Sequence, residues 1–216
     1  MKKHWFSIFG VILVGLFVFL WIWHSPAGVK ITNQEIDTYL KSIEKIPFPP
    51  EIKNDTLVSL RAWGKSDDGQ PVYMLNLIKN YEKVRHYPGA PDFKGTPAES
   101  NLLYEKKGIP LLLKYHSYPI YLARPPQGKN IVGINPKTND ISEILIVRYP
   151  NRRAFFAFLA DPEYGPILPY KLMASDLDLV PYTIDAIIPD LRLIVGGIFL
   201  VLFLTVGWIR AASRKP

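Results

Sequence analysis

ISEILIVRYPNRRAFFAFLADPEYGPILPYKLMASDLDLVPY, residues 141–182, decides the fold. Its first nine residues place Ile144, Ile146 and Val147 densely enough for a strand that is at least half buried, and Pro150 stops it. Asn151 then makes a good N-cap for RRAFFAFLA, where Phe155, Phe158 and Leu159 recur at helical spacing. The helix breaks near Pro162, and after Asp176 the run LDLVPYTI has strand composition again. Strand, turn, broken helix and strand within one short segment predict an α+β architecture.

Working outward, Val72 to Lys79 alternates in the manner of a strand. Asp68-Gly69 in SDDGQP supplies a positive-φ turn, so Leu57 to Trp63 is expected as a short strand completing a hairpin. PFPPEIKNDT before it reads as a proline-rich connector. Thr32-x-x-Glu35 is a capping box. Ile36, Tyr39, Leu40 and Ile43 follow at helical spacing, so residues 31–46 should form an amphipathic helix. Residues 81–96 are rich in Pro, Gly and charge and read as a loop, long enough to suggest a role in function. A helix should then run from about Pro97 to Tyr115, with Leu102, Leu103, Ile109, Leu112 and Leu113 as its core face and Pro110 as a kink. Tyr118 to Ala123 and Ile131 to Ile134 are further strands on either side of the turn PPQGKN. The order is β-α-β-β-α-β, a ferredoxin-like arrangement.

Two of these runs carry a resemblance. VRYPNRRAFFAFLADPEY resembles a signature of the domain of unknown function 1330 family, a branch of the dimeric α+β barrel superfamily. PVYMLNLIKNYEK resembles that family's first strand, with Met74, Asn76, Leu77 and Lys79 as its core. LYEKKGIPLLLKYHSYPIYLAR is similar to the helix and second strand. The resemblance covers about Leu57 to Ala186 and leaves out both ends. It implies a homodimer in which two sheets pair face to face, with ligands held between each sheet and its own helices. The family has no settled function to lend.

Both ends are apolar. Trp5 to Trp23 is nineteen residues without a charge; as a helix it would rise about 28 Å, close to a hydrocarbon core of ~30 Å. Trp5, Trp21 and Trp23 sit where interfacial aromatics are favoured. Ser25-Pro26-Ala27 offers a cleavage site for the rival reading, a signal peptide, but the run exceeds the usual length of such a peptide, and an uncleaved anchor is expected. Leu193 to Ile209 is a second, seventeen-residue span, flanked by Arg192 and by Arg210, Arg214 and Lys215. With Lys2 and Lys3 ahead of the first span, both termini should be cytoplasmic and residues 24–192 extracytoplasmic, in a bacterial inner membrane. The domain plan is therefore a span at 5–23, a helix and connector at 31–56, a barrel-like domain at 57–186 and a span at 193–209.

The charge pattern excludes one class of partner. The formal charge is +7 from 26 basic and 19 acidic residues. Lys2, Lys3, Arg192, Arg210, Arg214 and Lys215 flank the apolar runs, which leaves 20 basic against 19 acidic residues elsewhere. The high pI is a topology signal, so the lipid bilayer is the expected partner and nucleic acid is not. There is no cysteine, no His pair at ligand spacing, no P-loop and no dinucleotide fingerprint, so neither a metal nor a cofactor is expected.

Five residues are candidates for a ligand cleft: Asn76, His116, Arg148, Tyr149 and Arg152. Asn76 stands among apolar neighbours in a strand, where an amide needs partners; hydrogen bonding within the fold is one reading and ligand contact the other. His116 falls at a helix C-terminus, where the dipole favours it for structural reasons alone. Arg148 and Tyr149 end a strand. Arg152 and Arg153 open a helix against its dipole, which calls for an acidic partner or an anion; two solvated side chains is the plainer reading. Tyr81, Tyr104, Tyr164 and Tyr170 could line a cleft or simply pack. The pattern points to a membrane-anchored domain that binds a small molecule or associates with itself. An enzyme like the superfamily's cofactor-independent oxygenases and isomerases, acting through Asn76, His116 and Arg148, is the alternative, and a structural subunit of a membrane complex is a third.

Overall fold

A computed structural model describes residues 28–124 and 139–183, together with residues 8, 15, 18, 19, 22–24, 132, 198, 201, 204, 205, 208, 209, 211 and 212. The chain divides into two units, Met1–Thr183 and Ile184–Pro216. Most of the two apolar end runs, and the strand expected at Ile131–Ile134, lie outside the described residues; among the described residues no helix is long and apolar enough to cross a membrane.

The first unit contains α1 (Asn33–Ile43), α2 (Pro50–Lys65), β1 (Val72–Asn80), α3 (Pro97–Lys114), β2 (Tyr118–Ala123), β3 (Glu143–Tyr149), α4 (Arg152–Leu159), α5 (Leu168–Ala174) and β4 (Ser175–Tyr182). Four strands form one antiparallel sheet in the order β2-β3-β1-β4. From β1 onward the order is β-α-β-β-α-β, with α4 and α5 sharing the second helical position. The helix starts are chemically explicit. Thr32 and Thr96 each form a capping box, with Glu35 and Glu99, and the Asn151 side chain accepts from the Ala154 amide at 2.8 Å.

Side chains alternate across a sheet, and the register sorts them. Val72, Met74 and Asn76 of β1 lie opposite Tyr149, Val147 and Leu145 of β3. This face carries the core, in which Phe155, Phe156 and Phe158 of α4 pack with Ile36, Leu40 and Ile43 of α1. Trp63 of α2 lies edge-on to Phe155 and stacks on Phe156. The other face holds Leu75 and Leu77 opposite Ile146 and Ile144; these stay half buried and outside the core cluster, with Tyr121 and Val180 exposed beside them.

Two expectations are corrected. Leu57 to Trp63 is helical, part of α2, and the preceding prolines belong to its start, with Pro50 at the first helical position, where its missing N–H is not needed. Leu57, Leu60 and Trp63 are spaced for a helix and pack on the core. In α3, Leu112 is buried as expected, but Leu102, Leu103, Ile109 and Leu113 are exposed by 42–61%. The helix buries Ser100, Gly108, Leu111 and Leu112: two small residues at the contact bring its backbone close and rotate the larger ones outward. The loop at 81–96 is pinned by backbone bonds from Tyr81 to Ala174 and from Arg85 to Met173, and by the Tyr87 hydroxyl donating to the Pro47 carbonyl. None of its residues borders the internal cavity described below.

Candidate functional site

A cavity of about 140 Å³ lies between the core face of the sheet and α3, α4 and α5. Asn76, Leu145 and Val147 supply one wall, Tyr104 and Leu112 of α3 another, and Phe158 of α4 a third. Lys171 reaches it from α5.

Lys171 is 4% exposed and Asn76 5%. The Lys171 amine donates to Asn76 Oδ1 at 3.1 Å. Asn76 is fixed from the other side, because Nδ2 donates to the Met74 carbonyl at 3.0 Å and to the Leu145 carbonyl at 3.2 Å. Two carbonyls demand the NH₂ end there, so the amide oxygen must face Lys171. The Tyr104 ring lies 5.0 Å from the ammonium nitrogen, within cation–π range. Among the described residues no carboxylate lies within ion-pair distance of this amine. Burial therefore dominates and brings it down to about 8, although Glu143 and Glu105 pull the other way.

Three tyrosines complete the polar lining. Burial pushes the Tyr104 hydroxyl up to about 12, and pushes Tyr149 and Tyr164 well above the ordinary range. All three stay protonated near neutral pH, and the Tyr104 and Tyr164 rings meet edge-on with centroids 6.4 Å apart. Glu143 is buried and held by Arg124, whose Nε donates to it at 2.9 Å. The Glu105 side chain accepts from Asn101 Nδ2 at 2.8 Å.

The five sequence candidates do not form one site. Asn76 and Tyr149 line the cavity. Arg148 follows the strand alternation onto the opposite face, where it donates to the His24 carbonyl at 2.9 Å and stands over the Tyr118 ring. His116 also lies away from the cavity. It has φ 56° and directly follows the cap residue of α3, with its own amide bonded to Leu113 and the Ser117 amide to Leu112. That is a Schellman stop with histidine in the position where glycine is usual, and its ring nitrogen Nδ1 is 3.0 Å from the Trp23 carbonyl. Arg152 is held on the far side of α4: it donates to the Trp63 carbonyl and to Ser66 Oγ and pairs with Asp67 at 3.5 Å. Arg153 pairs with Glu35 at 2.9 Å. The basic pair therefore has the acidic partners its position called for, and it fastens the segments around α1 and α2 to α4. Tyr104 and Tyr164 line the cavity; Tyr81 lies under Arg85 and Tyr170 against Phe93.

Lys171 is the residue that the sequence reading passed over. The available signal was a lysine set between Leu168, Leu172 and Met173 in a short apolar helix.

No family model matches the chain, and no curated protein does. Solved structures similar to it include RPA0582 of Rhodopseudomonas palustris, a protein of unknown function, at 20% identity over 67% of this chain and 98% of that one, with a TM-score of 0.49. Another is SnoaB, a cofactor-independent oxygenase from Streptomyces nogalater, at 15% identity over 56% of this chain and 99% of that one, with a TM-score of 0.37. Neither bears on the chemistry of this chain, and the α+β fold stands on its own strand order.

Proposed function

We propose that the described domain binds a small molecule in the cavity between sheet and helices, and that the two apolar end runs hold it at a membrane. The observation that carries the reading is a largely apolar cavity with a buried amine, un-ion-paired among the described residues, and an oriented amide in its wall. At about 140 Å³ it compares with an engineered cavity of ~150 Å³ in another protein that takes up benzene, so the ligand's apolar body is about one six-membered ring. Anchoring is supported by Ile8, Val18, Phe19 and Ile22 of the first run and Ile198, Val201, Leu204 and Trp208 of the second, all apolar and 48–69% exposed.

The test is calorimetric titration of the full chain in lipid nanodiscs with benzyl alcohol, using empty nanodiscs as the blank. Saturable one-to-one heat in the wild type, abolished by Leu145→Trp without loss of the unfolding transition, is expected. Absence of saturable heat in a folded wild type overturns the reading.

Self-association is a second element of the proposal. Its support is the sheet face turned away from α1–α5, bearing Leu75, Leu77, Ile144 and Ile146, and the motif resemblance to the domain of unknown function 1330 family points to the same face. Native mass spectrometry should find a dimer that Leu77→Asp converts to monomer; a monomeric wild type removes this element. Chemistry in the cavity, the enzymatic alternative, is favoured by Lys171, because an amine brought down by burial can act as a nucleophile or base near neutral pH.

A further inference from the structure

We propose that Lys171 is a covalent carbonyl-capture residue, its amine condensing with the aldehyde or ketone group of a ligand whose apolar body fills the cavity. This rests on the cavity being the ligand site.

The geometry assigns the role to Lys171. Buried lysines are nearly always ion-paired, and among the described residues this one has no such partner. Its side-chain hydrogen-bond partner is Asn76 Oδ1, a neutral acceptor that cannot take its proton and supplies no counter-charge for an ammonium. Asn76 cannot rotate away without losing its bonds to the Met74 and Leu145 carbonyls. Nζ is therefore held at one point of the cavity wall, with one direction satisfied by the amide and the Tyr104 ring beside it. A surface lysine offers a more mobile and more strongly protonated amine.

The groups facing this amine are Tyr104 and Glu105 from α3, Asn76 from β1, Glu143 from β3, and Tyr164 ahead of α5. The phenols stay protonated and are donors for a carbonyl oxygen. The two glutamates border the cavity outside ion-pair range of Nζ, and Glu143 is taken up by Arg124.

The step balances without a redox partner. The free amine nitrogen attacks the carbonyl carbon and forms a C–N bond, giving a carbinolamine. The C–O bond then breaks, and the oxygen leaves as water with the two hydrogens that began on nitrogen. The product is an imine between the ligand carbon and Lys171 Nζ. A ring-sized aldehyde matches the cavity volume, and the apolar lining protects the imine from hydrolysis.

The experiment incubates the full chain in nanodiscs with benzaldehyde and sodium cyanoborohydride, which reduces an imine to a stable secondary amine, and maps benzylated lysines by peptide mass spectrometry. At pH 8 about half of the Lys171 amine is free, against well under one per cent of an ordinary lysine, so its benzylation should outrun that of exposed Lys41, Lys65 and Lys106 by at least about tenfold. The rate should rise with pH and level off above about 8. Leu145→Trp should abolish the selectivity while the exposed lysines react as before. If benzyl alcohol binds the cavity but Lys171 reacts no faster than the exposed lysines, the capture role is wrong and the binding site stands. If neither probe enters a folded protein, both fall together.

Discussion

Lys171 Nζ donates to Asn76 Oδ1 across 3.1 Å, tying a short helix to an inner strand of the sheet in the wall of the cavity. The bond joins a group that carries a charge in water to one that never does. Its consequences separate this amine from every solvated lysine of the chain.

The first consequence is a stability that changes with pH. The Lys171 amine sits at about 8 in the folded protein, against an ordinary 10.5. Between those values the unfolded chain binds a proton that the folded chain does not, so folding stability rises with pH across that window. Below about 8 the folded protein bears the full cost of a buried ammonium, on the order of 3 kcal/mol. Lys171→Met removes the titration. Urea unfolding of both proteins from pH 7 to pH 10 should show the wild type gaining on the variant; a constant difference would contradict a depressed amine.

The second is a coupled pair. Asn76→Leu leaves the Lys171 amine without its acceptor and should destabilise by about 1–3 kcal/mol. Lys171→Met leaves Oδ1 without its donor. Replacing both removes the two unsatisfied groups together, so the double variant should be more stable than the sum of the single losses predicts, by about 1 kcal/mol or more. Denaturant unfolding of all four proteins measures the coupling, and strict additivity would show that the hydrogen bond contributes nothing.

Asn76 was legible in the sequence because asparagine among Leu75, Leu77 and Ile78 is out of place in a strand. Lys171 was not, because a lysine in a seven-residue helix looks solvated until the fold shows what α3 and β1 bring against it. Arg148 and Tyr149 were grouped as one candidate pair, yet neighbours in a strand face opposite ways, and the two are separated by the whole sheet. Strand β1 announced itself through alternation, β3 through a dense apolar run with a proline stop, and β4 through its composition. Helix α2 did not: three prolines suggested a connector, and Leu57 to Trp63 mimicked a strand. Helix α3 had the right bounds and the wrong face, since the residues that let it approach, Ser100 and Gly108, carry no hydrophobic signal.

Asp161 gives a third prediction, at the opposite end of the pH scale. It is 5% exposed. Its carboxylate accepts from Lys114 Nζ at 2.6 Å, from the Tyr115 hydroxyl at 2.5 Å and from the Glu163 amide at 2.8 Å. Burial pushes this carboxyl up, but those hydrogen bonds outweigh it and hold it below its ordinary value. The stabilisation is therefore complete above the unfolded value and lost as pH falls through the depressed one. Asp161→Asn should cost about 1.5–3 kcal/mol at pH 7, and the gap to wild type should narrow as the pH falls below the ordinary carboxylate range. Thermal melts at a series of acidic pH values check it; a gap that persists at the lowest pH would assign the loss to packing.

Gly64 tests the seam between α1, α2 and α4. It is buried near the end of α2, and a Cβ there would stand 3.0 Å from Ile36 Cδ1 and 3.0 Å from Phe156 Cζ. Both neighbours are core side chains, 1% and 0% exposed, with no open space to move into. Alanine in a helix ordinarily gains up to ~1 kcal/mol over glycine, so a merely permissive site would be stabilised by Gly64→Ala. Here the added methyl must displace an isoleucine or a phenylalanine from a close-packed core, which costs about 1–3 kcal/mol. The balance falls on the side of destabilisation, by about 1–2 kcal/mol. Urea unfolding decides it. A stabilised variant would mean that α2 is free to lift from Phe156, and that the stacking of Trp63 on that ring does not hold the helix in place.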